Sequence, residues 1–391
     1  HPDFTVNAGG FCCFIYDLDG RRRPATLDDV HRAIHMVNAL DQVTYTGLPV
    51  ADQTTPIDVR PVSMAAELAK HTTKFGGVET FKPADIPYLI EIGTIIKGSM
   101  EALRAEPILV GYGEARSPLC IDRNMAEIFI DYIERGLPQT LDTMPNAGAT
   151  SPVTPAGTLA VGIAETLAGL VLGYAVRDDA VVGVDIIPSN CDMQSGIFHY
   201  GNMDRMRLLV ARVQMISEYY GCPSGVHGGK TDSCFVDLQC GAEKALSTLM
   251  PVLAGAVGIG TVGHIENAVT FCPQQLVIDN EIARGVRQML QPVEVNDLTL
   301  ALDVVRRVGI GGNYLEQEHT AEHFRQEMLL SPLFATMPWD AAHRESPAGI
   351  EAKALEKARA LWHEPVEPVV DRQQIKAIDA VVEAARRHMR G

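Results

Sequence analysis

The sequence predicts a (β/α)8 TIM barrel with additional N- and C-terminal helices. Three observations carry that expectation. Short apolar or β-branched runs alternate with longer helical patterns along most of the 391 residues, and such alternation implies a parallel sheet with helices outside. Eight runs are found, the number that closes a barrel. No G-x-G-x-x-G turn follows an early run, as the competing open doubly wound sheet would favour. The expected organisation is an N-terminal extension (1–25), the barrel (26–345) and C-terminal helices packed on its outside (346–391).

In chain order, "ATLDDVHRAIHMVNAL" starts the first helix, with Thr26 as N-cap and Asp28 and Asp29 in the first turn, where negative charge suits the helix dipole. The strands read as 43–50, 71–77, 107–115, 138–145, 180–189, 222–233 and 257–266, with a weaker eighth at 311–319. Between them, "PADIPYLIEIGTIIKGSMEALRAE" carries prolines near its first turn, and "IDRNMAEIFIDYIERG" ends on Gly136, as helices often do. "PAGTLAVGIAETLAGLVLGYAV" is apolar nearly all round and should be well covered. A proline-rich joint at 361–374 links two charged helices, 349–361 and 373–390.

Composition narrows the function. A formal net charge of −16 argues against nucleic acid, which needs a basic face, and suits a cationic ligand. No apolar run is read as approaching the ~20 residues of a membrane span, and no signal-peptide pattern is found. The eight cysteines form no C-x-x-C pair and read as free thiols of a reducing, cytoplasmic compartment.

In a parallel barrel the chemistry sits at the carboxyl ends of the strands. There the sequence places Phe75; Tyr112, Glu114 and Arg116; Asp142 and Asn146; Tyr200; His227, Lys230, Asp232 and Cys234; His264 and Glu266; and Tyr314 and His319. The bland reading of any one of them is a helix cap or a rim hydrogen bond; Asp232 and Ser233 would cap the following helix. Two features stand above it. Aromatics recur at these ends, and aromatic faces attract quaternary ammonium groups, by up to ~2 kcal/mol each when desolvated. Glycines crowd beside them, which lets something large approach the backbone. His227, Cys234 and His264 have the donor types for zinc but not the spacing of a zinc signature, and no metal is assigned.

The runs "NAGATSPVTPAGTLAVGIAETLAGLVLGY", "TDSCFVDLQCGAEKALSTLMPVLAGA", "FCPQQLVIDNEI" and "LALDVVRRVGIGGNYLEQEHTAEHFRQE" resemble the trimethylamine:corrinoid methyltransferase superfamily. The resemblance implies a (β/α)8 barrel that passes a methyl group from an amine to the cobalt of a corrinoid carried by a partner protein, with no tightly bound cofactor of its own. It also implies N-terminal residues beyond those of this sequence. The trimethylamine enzymes carry pyrrolysine in the loop matching "TDSC", at or near Cys234. This chain has none, so it resembles the non-pyrrolysine branch, which includes demethylases of glycine betaine, proline betaine and carnitine. Many of those have Lys where Cys234 stands.

The chemistry agrees. A quaternary ammonium leaves as a neutral amine, so the protein need only orient one N–CH₃ bond and exclude water. The resulting assignment has Asp232, Cys234 and His319 as catalytic residues and Phe75, Tyr112, Tyr200, His264, Glu266 and Tyr314 as substrate-binding residues. Arg116, Lys230, His264 or His319 would hold a substrate carboxylate, His319 first. Partners are a quaternary amine and a corrinoid-binding protein, with a homo-oligomer expected and neither nucleic acid nor membrane. The alternatives are a zinc-dependent corrinoid methyltransferase acting on a thiol or methoxy substrate, and a non-catalytic betaine-binding family member.

Overall fold

A computed structural model describes residues 3–334, 336–345 and 349–390. The fold is mixed α/β. Its sheet is a series of short parallel segments. Gly225–Val226 pairs with Gly258–Gly260, which pairs with Thr5–Asn7. Single bridges carry the series on from Asn7 to Tyr45 and from Thr46 to Phe75, and the Val78 N–H donates to the Val110 carbonyl. Gly113–Ala115 then pairs with Gln139–Thr143, and that strand with Val182–Gly183.

Eight segments are therefore in parallel array, but one is not where the sequence suggested. Residues 311–319 form turns that run into the helix Glu318–Glu327. The place of that strand is taken by Thr5–Asn7, within the stretch read as an extension. A three-residue strand carries almost no periodicity to read, and its partner lies some 250 residues away. The N-terminal part holds strands, Phe14–Tyr16 and Arg22–Pro24 included, rather than the extra helices expected there. Among the described residues no backbone pairing joins Val182–Gly183 to Gly225–Val226, so the array is not shown to be a closed barrel. Its two ends are bridged by a side chain: Arg212 donates to the Gly225 carbonyl and to the Asp185 carboxylate.

Helices cover the array. The first, Leu27–Ala39, starts where expected: the Asp29 carboxylate accepts from the Thr26 N–H (2.8 Å), from its hydroxyl (2.7 Å) and from Arg23 (2.6 and 2.8 Å). Gly349–Trp362 packs on Pro273–Met289 and on Leu27–Ala39, and Arg372–Arg390 on Ile86–Lys97 and Arg60–His71. The boundary expected at 345/346 adjoins residues 346–348, which lie outside the described set.

The apolar helix Pro155–Val176 departs from expectation twice. It is long and apolar enough, by length and composition, to cross a membrane, contrary to the reading that no run approaches that length. It is also not well covered. One face presses Gly162, Gly169 and Gly173 onto Ile186, Leu141 and Val182, where a Cβ would fall 2.5–2.8 Å from those side chains. The other leaves Leu167, Val171 and Tyr174 exposed. The glycines bring one face close to the strands, and the opposite face has no cover among the described residues.

Candidate active site

The polar residues of the parallel segments converge in the interior. Glu114 and Asp142 are register partners on adjacent strands. Tyr112, one residue before its strand, donates its phenol to Glu79 at 2.7 Å. Burial raises the Glu79 carboxyl to about 7, against the lowering effect of that hydrogen bond. Burial also raises Glu114, and it pushes Asp142 well above the carboxylate range with help from the charges of Asp185 and Glu114. Neither the Glu114 nor the Asp142 carboxyl group makes an ion pair or hydrogen bond among the described residues. This side of the interior is acidic, aromatic and short of cations.

The facing side is basic, and its charges are largely spoken for. Arg205, fully buried, donates to three backbone carbonyls: Pro188 (2.9 Å), Tyr200 (2.7 Å) and His227 (2.9 Å). Arg212 holds Asp185 and Gly225 as above. His227 lies 3.6 Å from Asp185, and burial together with Lys230 takes its imidazole well below the ordinary histidine range. Lys230 is different. It makes no hydrogen bond or ion pair through its ammonium among the described residues. Its Nζ sits 4.3 Å from the centroid of the Tyr200 ring, and burial, with Arg205 nearby, lowers it to about 7.

Asp232 ties two loops together. Its Oδ1 accepts from the Tyr200 and Gly201 N–H groups (2.7 and 2.8 Å), and its Oδ2 meets His199 Nδ1 at 2.8 Å. Its own N–H donates to Glu243, as does the Thr231 hydroxyl. Neither Asp232 nor Ser233 caps the next helix; Asp237 does, accepting from Cys240 N–H at 2.8 Å. A third loop joins through Glu266 N–H to Ser233 (2.7 Å) and Asn267 N–H to Thr231 (3.0 Å). Glu266 itself pairs outward with Arg22 at 2.7 Å.

His264 is fully buried with neither ring nitrogen hydrogen-bonded, and burial lowers it to about 3. It is a neutral ring that fills the space beside Gly10, where a Cβ would fall 2.1 Å from the imidazole. Cys234 is exposed on the loop beyond Asp232.

Hydrogen bonds thus join the loops that carry Tyr200, Asp232 with Cys234, and Glu266 just after His264, while Tyr112 stands with the buried carboxyl of Glu79. Phe75 is half-buried against the hydrophobic core. Tyr314 is exposed, and His319 stacks at 4.5 Å on His323 along its own helix. Among the described residues no hydrogen bond, ion pair or ring contact links these two to the loops at 200, 230–234 or 264–267. Of the four candidate carboxylate partners, Arg116 is on the surface with Asp122, and Lys230 is the buried cation.

Sequence reasoning missed Glu79, Asp185, Arg205 and Arg212. Asp185 was detectable as a charge inside an apolar run. Arg205 and Arg212 lie seven residues apart, on the same helical face as Leu208 and Leu209. Glu79 carried no such mark.

A family model described as trimethylamine methyltransferase (MTTB) matches residues 4–390. The chain is 28% identical over 375 residues to a glycine betaine methyltransferase of Desulfitobacterium hafniense (strain Y51), covering 95% of this chain and 77% of that protein. It is 31% identical over 324 residues to the trimethylamine methyltransferase MttB of Desulfitobacterium hafniense (strain DSM 10664 / DCB-2), with 82% and 65% covered. With the trimethylamine methyltransferase MttB of Methanosarcina barkeri the figures are 33% over 285 residues, 72% and 55%. The chain therefore spans from about half to three quarters of the length of these relatives. A crystal structure of the Methanosarcina barkeri monomethylamine methyltransferase (MtmB) aligns over 100% of this chain and 72% of its own, at 12% identity and a TM-score of 0.46.

Proposed function

Because the chain belongs to the trimethylamine methyltransferase family, we propose that it moves a methyl group from a quaternary amine of betaine type to the cobalt of a corrinoid carried by another protein. One observation carries this reading. An interior with unpartnered carboxylates and an aromatic ring on one side, and a lone buried lysine on the other, has the polarity of a zwitterion whose cation and carboxylate are a few bonds apart.

In this reading the ammonium lies against Tyr112, Glu79, Glu114 and Asp142, and the carboxylate meets Lys230. The ring face and the acidic side hold the cation without forming a bond to it. The Asp232 clamp sets the loops of Tyr200 and Cys234 so that one N-methyl group faces outward. We further propose that the eight parallel segments close into a barrel around this interior, with Arg212 as the seam.

The surface beside the clamp fits a flat macrocycle presented from outside. Ile197, Phe198, Phe235 and Leu238 are exposed apolar residues on the loops that Asp232 and Ser233 organise. When docked there, a corrinoid supplies the nucleophile; this chain's residues bind, orient and exclude water. Nothing favours the zinc reading, since His227, Cys234 and His264 do not form a ligand group among the described residues.

The test is methyl transfer to Co(I) cobalamin with glycine betaine, proline betaine, carnitine and trimethylamine. Demethylation of at least one quaternary amine, with trimethylamine inert, is expected. Demethylation of trimethylamine alone overturns the substrate class. Tight betaine binding without any transfer points to the non-catalytic family member.

A further inference from the structure

The outer helical layer carries a second group of chemistry-bearing residues, remote from the interior described above. His31 comes from the helix Leu27–Ala39, and Glu67 and His71 from Arg60–His71. His31 Nε2 is 2.7 Å from Glu67 Oε2, His71 Nδ1 is 3.7 Å from the same oxygen, and the two imidazole rings are 4.5 Å apart between centroids. One ligand atom from each of the three residues lies within 4.8 Å of the others, the one such group of His, Cys or carboxylate donors among the described residues.

We propose that His31, Glu67 and His71 bind a divalent transition-metal ion of the zinc type, which staples the first two long helices together. Two imidazoles and a carboxylate suit such an ion, whose bonds of about 2.0–2.2 Å set ligand atoms about 3.3 Å apart in a tetrahedron. The distances of 2.7 and 3.7 Å bracket that value, so side-chain movement of about 1 Å completes the set. Glu67 and His71 are four apart and therefore share one helical face. Both imidazoles must bind as neutral rings. On binding, the ion replaces the proton between His31 Nε2 and Glu67 Oε2, with the His31 ring proton carried on Nδ1. At His71 the ion takes Nδ1, now bonded to the Glu67 carbonyl at 2.9 Å, and the ring proton moves to Nε2. Solvent completes the coordination, since His31 stays partly exposed.

The surroundings are those of a built site. Lys70 holds the other Glu67 oxygen at 2.7 Å and also reaches Asp379 of the last helix at 3.1 Å. His35, one turn beyond His31, pairs with Glu364 at 2.9 Å. The ion would sit where the first two helices meet the C-terminal ones, so its effect is on the docking of the tail rather than on methyl transfer.

The experiment is titration of the metal-free full chain with Zn²⁺ by calorimetry, and with Co²⁺ followed by visible absorption. One equivalent should bind, and both signals should weaken about 100-fold or more in His31→Gln and His71→Gln. Lys70→Gln leaves all three ligands in place and removes the cation beside them, so it should bind Zn²⁺ more tightly than the parent chain. That response separates a site at Glu67 from loss of folding in the histidine variants. His319→Gln with His323→Gln, which removes the surface histidine pair, should change nothing. Binding that survives both single histidine changes, or is lost with the surface pair, or is indifferent to Lys70, overturns the proposal. So does the absence of any binding by the parent chain.

Discussion

The two sides of the interior hold similar numbers of ionisable groups and use them in opposite ways. On the basic side, Arg205 and Arg212 spend their donors on backbone carbonyls and on Asp185. On the acidic side, Glu114 and Asp142 face the interior with no cation, and Glu79 has only the Tyr112 phenol. A buried charge without a partner is costly. In the proposed reading the satisfied set is scaffold and the unpaired set meets the substrate. Lys230 is the exception that joins the two sides, a cation on the scaffold side held by a ring face alone.

The comparison breaks most visibly if the arginines are not scaffold. Arg205→Met strands three backbone carbonyls and should lower stability by about 3 kcal/mol in urea unfolding. A variant of unchanged stability that merely binds betaine poorly would place Arg205 with the ligand instead. Next is the wall of the acidic side. Tyr112→Leu should weaken betaine binding by about 1–2 kcal/mol and leave a neutral isostere, carbon in place of nitrogen, unaffected. Equal losses for both ligands would reduce Tyr112 to shape.

Titration sharpens the contrast further. Glu79, raised to about 7, is neutral below that pH and anionic above it. Affinity for choline, a cation without a carboxylate, should therefore rise about tenfold from pH 6 to pH 8. Lys230, lowered to about 7, loses its charge over the same range. Glycine betaine gains at one end and loses at the other, so its affinity should peak near neutrality. Glu79→Gln should flatten the choline profile, and Lys230→Met should make betaine follow choline; profiles unmoved by either change would sever these residues from binding. The smallest effect concerns Cys234. It is exposed, as Cys13 is, so iodoacetamide should label both, and saturating betaine should slow only Cys234. Mass spectrometry showing equal labelling with and without ligand would put that thiol outside the site.

Local signals were legible. The Thr26 cap with its Asp29 partner, the two C-terminal helices and the placement of polar residues after strands all follow from spacing and residue type within a few positions. Tyr200, Lys230 and Asp232 could be placed because strand ends can be; Tyr112, expected at such an end, stands one residue before its strand. His319 was placed at a strand end in the same way, and the residues there are turn and helix. Its neighbourhood in the sequence says nothing about its distance from the interior.

By itself, then, the sequence determined which residues are polar at the ends of apolar runs, where helices begin, and the family to which the motifs belong, because each of these is written in a short window. Only the tertiary structure decided which charges are satisfied. Arg205 finds carbonyls at 188, 200 and 227, and Tyr112 finds Glu79 thirty-three residues away. Whether a buried carboxylate has a partner depends on what packing brings to it from elsewhere in the chain. The same holds for Thr5–Asn7, too short to be recognised alone and made a strand by Gly258–Gly260 beside it. A hydrogen bond across 250 residues leaves no local trace, because its energy belongs to the pair and neither half carries it alone.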